Sequence, residues 1–298
     1  KEKDIRNSIH IPYSEERLEF CELNLLNDYG WEEALSGCDY IIHMASPFII
    51  EEPKNENDLI EPALAGTMRA LKAAKKSKIK KFVLTSSMAA IAYGHNKTKC
   101  NQNDWSDLTK DIGAYIKSKT LAEKAAWNFV KDNSEIPFVL TSINPGMVLG
   151  PIIGKDTDGA SASLVKNMIN GNFPAIPDIY FTVVDVRDVA KLHVQSLKND
   201  KSDFKRVIAT SSKGISFLNI SKILRNLGFN KSPKNLIPSQ IVFSMAPFNK
   251  DMRTTASMIR RGCYDTENSE TKTIFNWEPI QLEDSLKDMT NSLKAYQK

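Results

Sequence analysis

Residues 82–87 read F-V-L-T-S-S and residues 115–127 read Y-I-K-S-K-T-L-A-E-K-A-A-W. The first is a short aliphatic run that ends in hydroxyls, the pattern of a buried strand. The second has helical period, with Leu121, Ala122, Ala125, Ala126 and Phe129 on one face. The same alternation continues outward from this pair. Strands are expected at Leu18 to Leu23, Tyr40 to Met44, Phe82 to Ser86 and Phe138 to Ile143. Helices are expected at Trp31 to Leu35, at Leu59 to Ala74 with Ala63, Leu64, Met68, Leu71 and Ala74 on one side, and at Ala114 to Val130. Strand and helix in turn predict an α/β protein with a doubly wound, largely parallel sheet.

After Gly150 the rhythm changes. Residues 151–159 read as a loop, and helices follow at Ser161 to Ile169, Asp185 to Leu197, Ile220 to Leu227, Ser257 to Arg261 and Leu282 to Leu293, interrupted by Gly228, Pro233, Pro238 and Pro247. The simplest division is a sheet domain over residues 1–150 and a smaller lobe formed mainly by residues 151–298. Residues 176–200 would return to the sheet through Phe181 to Leu197.

Composition narrows the class. A chain of 298 residues that is 41% apolar can bury a core, and its net charge of +4 is small. The run Lys75, Lys76, Lys78, Lys80 and Lys81 has no aromatic residues interleaved, so it reads as a solvated helix end rather than a nucleic-acid patch. Cys21, Cys38, Cys100 and Cys263 form no CxxC pair, and His10, His43, His95 and His193 do not fall at metal-ligand spacing, so no metal site is expected. No apolar run approaches the roughly 18 residues of a membrane span. With no signal-peptide pattern, a cytoplasmic protein without membrane partners is expected.

Tyr115 and Lys119 stand one turn apart on the expected helix. A YxxxK match alone is weak: on the order of one arises by chance in a chain with this many lysines. Tyr93 and Lys97 supply another, but Gly94, His95 and Asn96 place it in a loop. Tyr115 and Lys119 could equally be a surface tyrosine and a solvated lysine. The chemical reading needs a third group. A free phenol has a pKa near ~10, which a neighbouring ammonium is expected to lower, and a hydroxyl must fix the oxygen to be protonated. Thr85, Ser86 and Ser87 end a strand at the carboxyl edge where open α/β sheets bind ligands. Ser87 is the choice, since it lies just past the strand while Ser86 points toward the sheet.

F-V-L-T-S-S from Phe82, W-S-D at Trp105 to Asp107, the helix from Tyr115, N-P-G-M-V-L-G-P from Asn144 and V-D-V-R-D-V-A from Val184 together resemble the extended short-chain dehydrogenase/reductases. The dihydroflavonol reductase-like branch, in its microbial aldehyde-reductase form, is the nearest in look. The resemblance implies a Rossmann-like domain and reduction of a small-molecule carbonyl with NADP, NAD being the alternative. Ser87 would hold the carbonyl, Tyr115 would give the proton, and Lys119 would tune Tyr115 and bind the nicotinamide ribose. The cofactor would also meet Asn24 and Leu25 near adenine, Met44, Ala45 and Ser46 at the end of the next strand, Pro145, Gly146, Met147 and Val148 around the carboxamide, and Ser161 at a phosphate or ribose. Relatives usually carry aspartate at Asn24, and an amide can still meet the adenine amino group.

Other readings stay open. The same serine, tyrosine and lysine serve nucleotide-sugar epimerases and dehydratases and 3β-hydroxysteroid dehydrogenases, and an inactive remnant or cofactor sensor is a non-enzymatic alternative. His43 reads as a core histidine, while Asp185, Arg187 and Asp188 read as a helix cap and ion pair. Tyr93 and His95 are candidates to touch substrate. The assembly is expected to be a monomer or homodimer.

None of the thirteen glycines forms GxGxxG or GxxGxxG. A dinucleotide fold holds its pyrophosphate on such a turn at a helix amino end. In the sheet order 3-2-1-4-5, the strand at Leu18 to Leu23 would be third and that at Tyr40 to Met44 fourth, with the first two between them. The expectation is therefore a chain that lacks roughly 35 upstream residues, about one βαβ unit. The NADP preference accordingly rests on the resemblance.

Overall fold

The computed structural model describes residues 2–9, 14–47, 53–133, 135–154, 157, 159–259 and 265–296. Its centre is a four-stranded parallel sheet of β1 (Tyr40–His43), β2 (Lys81–Thr85), β3 (Val139–Pro145) and β4 (Arg206–Ala209), side by side in chain order. Three crossover helices join them: α1 (Asn57–Lys76), α2 (Ala114–Asp132) and α3 (Val186–Ser196). Parallel neighbours require such crossovers, which is why the sequence alternates as it does.

Strand alternation sorts the side chains onto two covered faces. Phe82, Leu84, Phe138 and Leu140 pack with Trp31, Ala70, Leu71, Ala74 and Ala126 under α1 and α2. Val83, Ile143, Val207 and Ala209 pack with Val189 and Leu192 of α3 and with Phe275 and Trp277. The sheet is thus doubly wound and Rossmann-like.

A second core lies in the lobe. Leu149, Val165, Met168, Ile220, Leu224, Leu286, Met289 and Leu293 bring together the helices Ala160–Asn170, Phe217–Asn226 and Leu282–Tyr296. The V-D-V-R-D motif fastens it. Asp185 caps α3 by accepting from Arg187 N at 2.8 Å, takes both arms of the Arg187 guanidinium, and accepts from Ser285 Oγ at 2.5 Å, while Arg187 also reaches Asp288. Asp188 accepts from Ile280 N. These residues dock the lobe, in keeping with their reading as cap and ion pair.

Three expectations are corrected. Leu18 to Leu23 forms no strand: Arg6 donates to the Leu18 carbonyl at 3.0 Å and lies over the Phe20 ring, and Phe20 and Leu23 are exposed. Without a ladder partner an extended segment is not a strand. Within residues 176–200 it is helix α3 that packs on the main sheet, while Val183–Asp185 pairs with Met147–Leu149 in a separate two-stranded sheet and the next main-sheet strand is Arg206–Ala209. The helix expected at Ser257 to Arg261 starts earlier, spanning Lys250–Ile259, and residues 260 and 261 lie outside the described residues.

Candidate active site

The three hydroxyls that end β2 diverge because successive residues of a strand face opposite ways. His193 Nδ1 donates to the Val189 carbonyl at 2.8 Å, leaving Nε2 to accept from the Thr85 hydroxyl at 2.7 Å on the α3 side. Ser86 is buried and donates to Glu123 of α2 at 2.5 Å. Ser87 sits where the strand gives way to a 3-10 turn, accepts from Ala89 N at 3.0 Å, and hydrogen-bonds the Tyr115 phenol. Of the three, Ser87 is the one beside Tyr115.

Helix α2 presents Tyr115, Lys119 and Glu123 at successive turns. Burial holds the Tyr115 phenol above its ordinary value, outweighing the hydrogen bond from Ser87, and the Tyr93 phenol adds to the rise. The expected lowering by Lys119 is therefore corrected. Lys119 is itself desolvated, and burial lowers its pKa to about 8 against the opposing pull of Glu123. The second YxxxK match behaves as a loop: the Lys97 ammonium pairs with Asp104.

The other candidates fall into groups. Ala45, Ser46 and Lys119 line one small recess with His43, Thr67, Thr85, Ser86 and Glu123. Met44 beside them is exposed. Pro145 ends β3 next to Ala209, Gly146 N donates to the Ala209 carbonyl, and Met147 N donates to the Thr182 carbonyl at 2.8 Å, so residues 145–148 form the adjoining carboxyl edge. Asn144 Nδ2 links this edge to the Ser87 carbonyl at 3.2 Å. Leu25 packs against Gly66 of α1, and Asn24 is exposed with its Oδ1 accepting from Leu26 N. Ser161 is half-buried in the first turn of the lobe helix Ala160–Asn170.

Sequence reading undervalues His43, Glu123 and Arg206. His43 ends β1 and is 6% exposed, yet its Nε2 finds no hydrogen-bond partner among the described residues. Burial, with the Lys119 charge, lowers its pKa to about 4. Glu123 lies on the apolar face of its helix beside Ala122 and Ala126, and an acid in that stripe is the signal that could have found it. A separate cavity of about 630 Å³ opens in the lobe, lined by Asp185, Ser211, Lys213, Asn219 and Ser285, and Ser87, Tyr115 and Lys119 take no part in it.

The carboxyl edge suits the ribose of a dinucleotide cofactor on its own chemistry. It offers an unpartnered buried imidazole nitrogen and a part-buried ammonium at one recess. Gly146 on the adjoining edge is required by the protein's own packing, since an added Cβ would stand 2.3 Å from the Thr182 carbonyl oxygen. Among the described residues no group of histidine, cysteine or acidic side chains could hold a metal ion, and no helix is long and apolar enough to cross a membrane.

The Rossmann-like sheet and the relatives of this chain together make it an NAD(P)-dependent oxidoreductase. Residues 4–209 match the NAD dependent epimerase/dehydratase family, and the chain belongs to that family, in the dihydroflavonol reductase-like branch of the extended short-chain dehydrogenase/reductases. It is 34% identical over 233 residues to the cinnamoyl-CoA reductase CAD2 of Medicago truncatula, covering 76% of this chain and 69% of that protein. It is 30% identical over 252 residues to the dihydroflavonol 4-reductase of Arabidopsis thaliana, covering 80% and 62%. Its fold matches that of the yeast methylglyoxal/isovaleraldehyde reductase Gre2, solved with NADPH, at a TM-score of 0.74 and 24% identity, over 92% of this chain and 83% of that one.

Proposed function

We propose that this protein reduces an aldehyde or ketone to an alcohol with NADPH, with Tyr115 as proton donor. The observation that carries the reading is the hydrogen bond between Ser87 and Tyr115 at the carboxyl edge of the sheet, with Lys119 one turn further along α2. Relatives named as reductases favour reduction over the nucleotide-sugar alternative.

Lys119 and His43 would hold ribose hydroxyls, Ala45 and Ser46 would wall the same recess, and residues 145–148 would meet the carboxamide. The chemistry supplied by the bound cofactor is hydride, delivered from the reduced nicotinamide to the carbonyl carbon. Ser87 donates to the carbonyl oxygen and fixes it against the Tyr115 hydroxyl. Tyr115 gives its proton to that oxygen as the carbon accepts the hydride, and the oxygen leaves as the alcohol. The raised pKa of Tyr115 keeps the phenol protonated at neutral pH, the form a donor requires. Lys119 would keep its ammonium at the ribose hydroxyls, one turn from Tyr115 on α2.

The test is turnover of Tyr115→Phe against a panel of small and aromatic aldehydes and ketones, with NADPH binding followed by fluorescence. Turnover is expected to vanish while binding persists. Normal activity in Tyr115→Phe rejects the reading.

A further inference from the structure

The most heavily bonded side chain near the site is a carboxylate to which the reaction assigns no step. Glu123 is 1% exposed, and both its oxygens are saturated. Its Oε2 accepts from Ser86 Oγ at 2.5 Å, Asn144 Nδ2 at 2.7 Å and Arg206 Nη2 at 3.3 Å. Its Oε1 accepts from Arg206 Nε at 2.7 Å, Ser142 Oγ at 2.9 Å and Trp127 Nε1 at 3.2 Å. The donors come from the ends of β2 and β3, from the head of β4 and from α2 itself. One carboxylate therefore ties three strands to the helix that carries Tyr115 and Lys119.

The counter-ion is anchored in turn. Arg206 Nη1 donates to the Gln102 and Asp104 carbonyls, each at 2.7 Å, and the guanidinium lies 3.7 Å from the centre of the Trp105 ring. A buried acid is tolerated only when paired and hydrogen-bonded throughout. Burial alone would push Glu123 up, but the charge of Arg206 and the bonds from Arg206, Ser86 and Asn144 hold it below the usual carboxylate range.

Two consequences reach the reacting groups. Ser86 precedes Ser87, and Asn144 grips the Ser87 carbonyl and Glu123 together, so Glu123 fixes the turn that aims the Ser87 hydroxyl. Lys119 is one turn away, and Glu123 is the anionic group that offsets its burial. We infer that Glu123, locked by Arg206, is a positioning residue that sets the Ser87 turn and stations a negative charge beside Lys119. The inference rests on the reductase reading of the site.

Among the described residues, few groups face Lys119. β1 presents His43, α1 presents Thr67, β2 presents Thr85 and Ser86, and α2 presents Glu123 with Arg206 of β4 behind it. Tyr115 stands one turn back on α2 with its phenol held above its ordinary value, and His43 is already neutral in that range, so a titration of Lys119 reports on Glu123.

The experiment uses the full chain and two readouts, the Lys119 midpoint by 13Cε NMR without substrate and kcat with NADPH. Glu123→Gln/Arg206→Gln removes both charges at nearly constant volume. The Lys119 midpoint is expected to fall by about one pH unit, and kcat by roughly tenfold or more. Ser86→Ala removes one bond and leaves Glu123 five others, so it serves if the double variant does not fold. It is expected to lower kcat several-fold, with NADPH affinity and the Lys119 midpoint unchanged. A folded double variant with the wild-type midpoint and kcat, or Ser86→Ala with wild-type kcat, overturns the inference. If the wild-type chain reduces no carbonyl, the reductase reading fails on that result alone, while the midpoint shift still reports on Glu123.

Discussion

The Lys119 ammonium bears on the His43 imidazole at the carboxyl edge of the sheet, and the imidazole is held neutral, with a pKa of about 4. An imidazole at the end of an apolar strand loses hydration on folding, and a neighbouring cation makes protonation harder still. The unfolded chain, with a value near 6.5, therefore binds more protons than the native one between pH 6.5 and about 4. Stability from this group is complete above pH 6.5 and is lost as the pH falls through that window, by roughly 3 kcal/mol at its lower end. Replacing His43 with leucine should remove this acid-sensitive component. Chemical denaturation at pH 7.5 and pH 4.5 checks it: the gap between the two stabilities narrows in His43→Leu, and an unchanged gap refutes the assignment.

Lys119 carries the opposite consequence for alkaline conditions. Its folded value of about 8 lies below the 10.5 of the unfolded chain, so the unfolded state holds the extra proton between those limits. Stability rises with pH across that range, and below pH 8 the buried ammonium costs roughly 3 kcal/mol relative to pH 10.5. Lys119→Met should therefore be more stable than the parent at pH 7 while losing turnover. A lower thermal midpoint for Lys119→Met at pH 7 would contradict it.

How far the sequence reaches depends on whether a feature is local. The helix from Tyr115 and the three hydroxyls after Phe82 are legible because period and strand parity act within one element. The choice of Ser87 over Ser86 follows from that parity, and the structure sends Ser86 to Glu123 and leaves Ser87 beside Tyr115. Arg206–Ala209 is not legible: it is four residues long and opens on an arginine made buriable by Glu123, the Gln102 and Asp104 carbonyls and the Trp105 ring, all distant in sequence. The direction of the Tyr115 shift is also hidden, since spacing gives the distance to Lys119 but not the loss of water around both groups. Leu18 to Leu23 shows the converse failure, a strand-like composition with no ladder to join.

Gly146 tests the adjoining edge. A Cβ there would stand 2.3 Å from the Thr182 carbonyl oxygen, the acceptor that Met147 N uses. Relief requires backbone movement, so Gly146→Ala should destabilise by on the order of 2 kcal/mol. NADPH affinity should fall as well, because residues 145–148 are displaced. Thermal unfolding and fluorescence titration read the two effects. Wild-type values for both would show that the edge accommodates a side chain and is not part of the cofactor surface.

Ser87 separates positioning of substrate from binding of cofactor. Its hydroxyl accepts from Ala89 N, so Ser87→Ala loses a cap worth about 1 kcal/mol of stability. It also loses the hydrogen bond that holds the Tyr115 phenol down, so the phenol should move further above its ordinary value. If Ser87 fixes the carbonyl oxygen, kcat should fall roughly 10²-fold or more, as for removal of an oxyanion donor, with NADPH affinity unchanged. Ser87→Thr restores a hydroxyl at the same atom and should recover part of kcat along with the cap. Equal loss in the alanine and threonine variants would assign the effect to the turn and not to the hydroxyl.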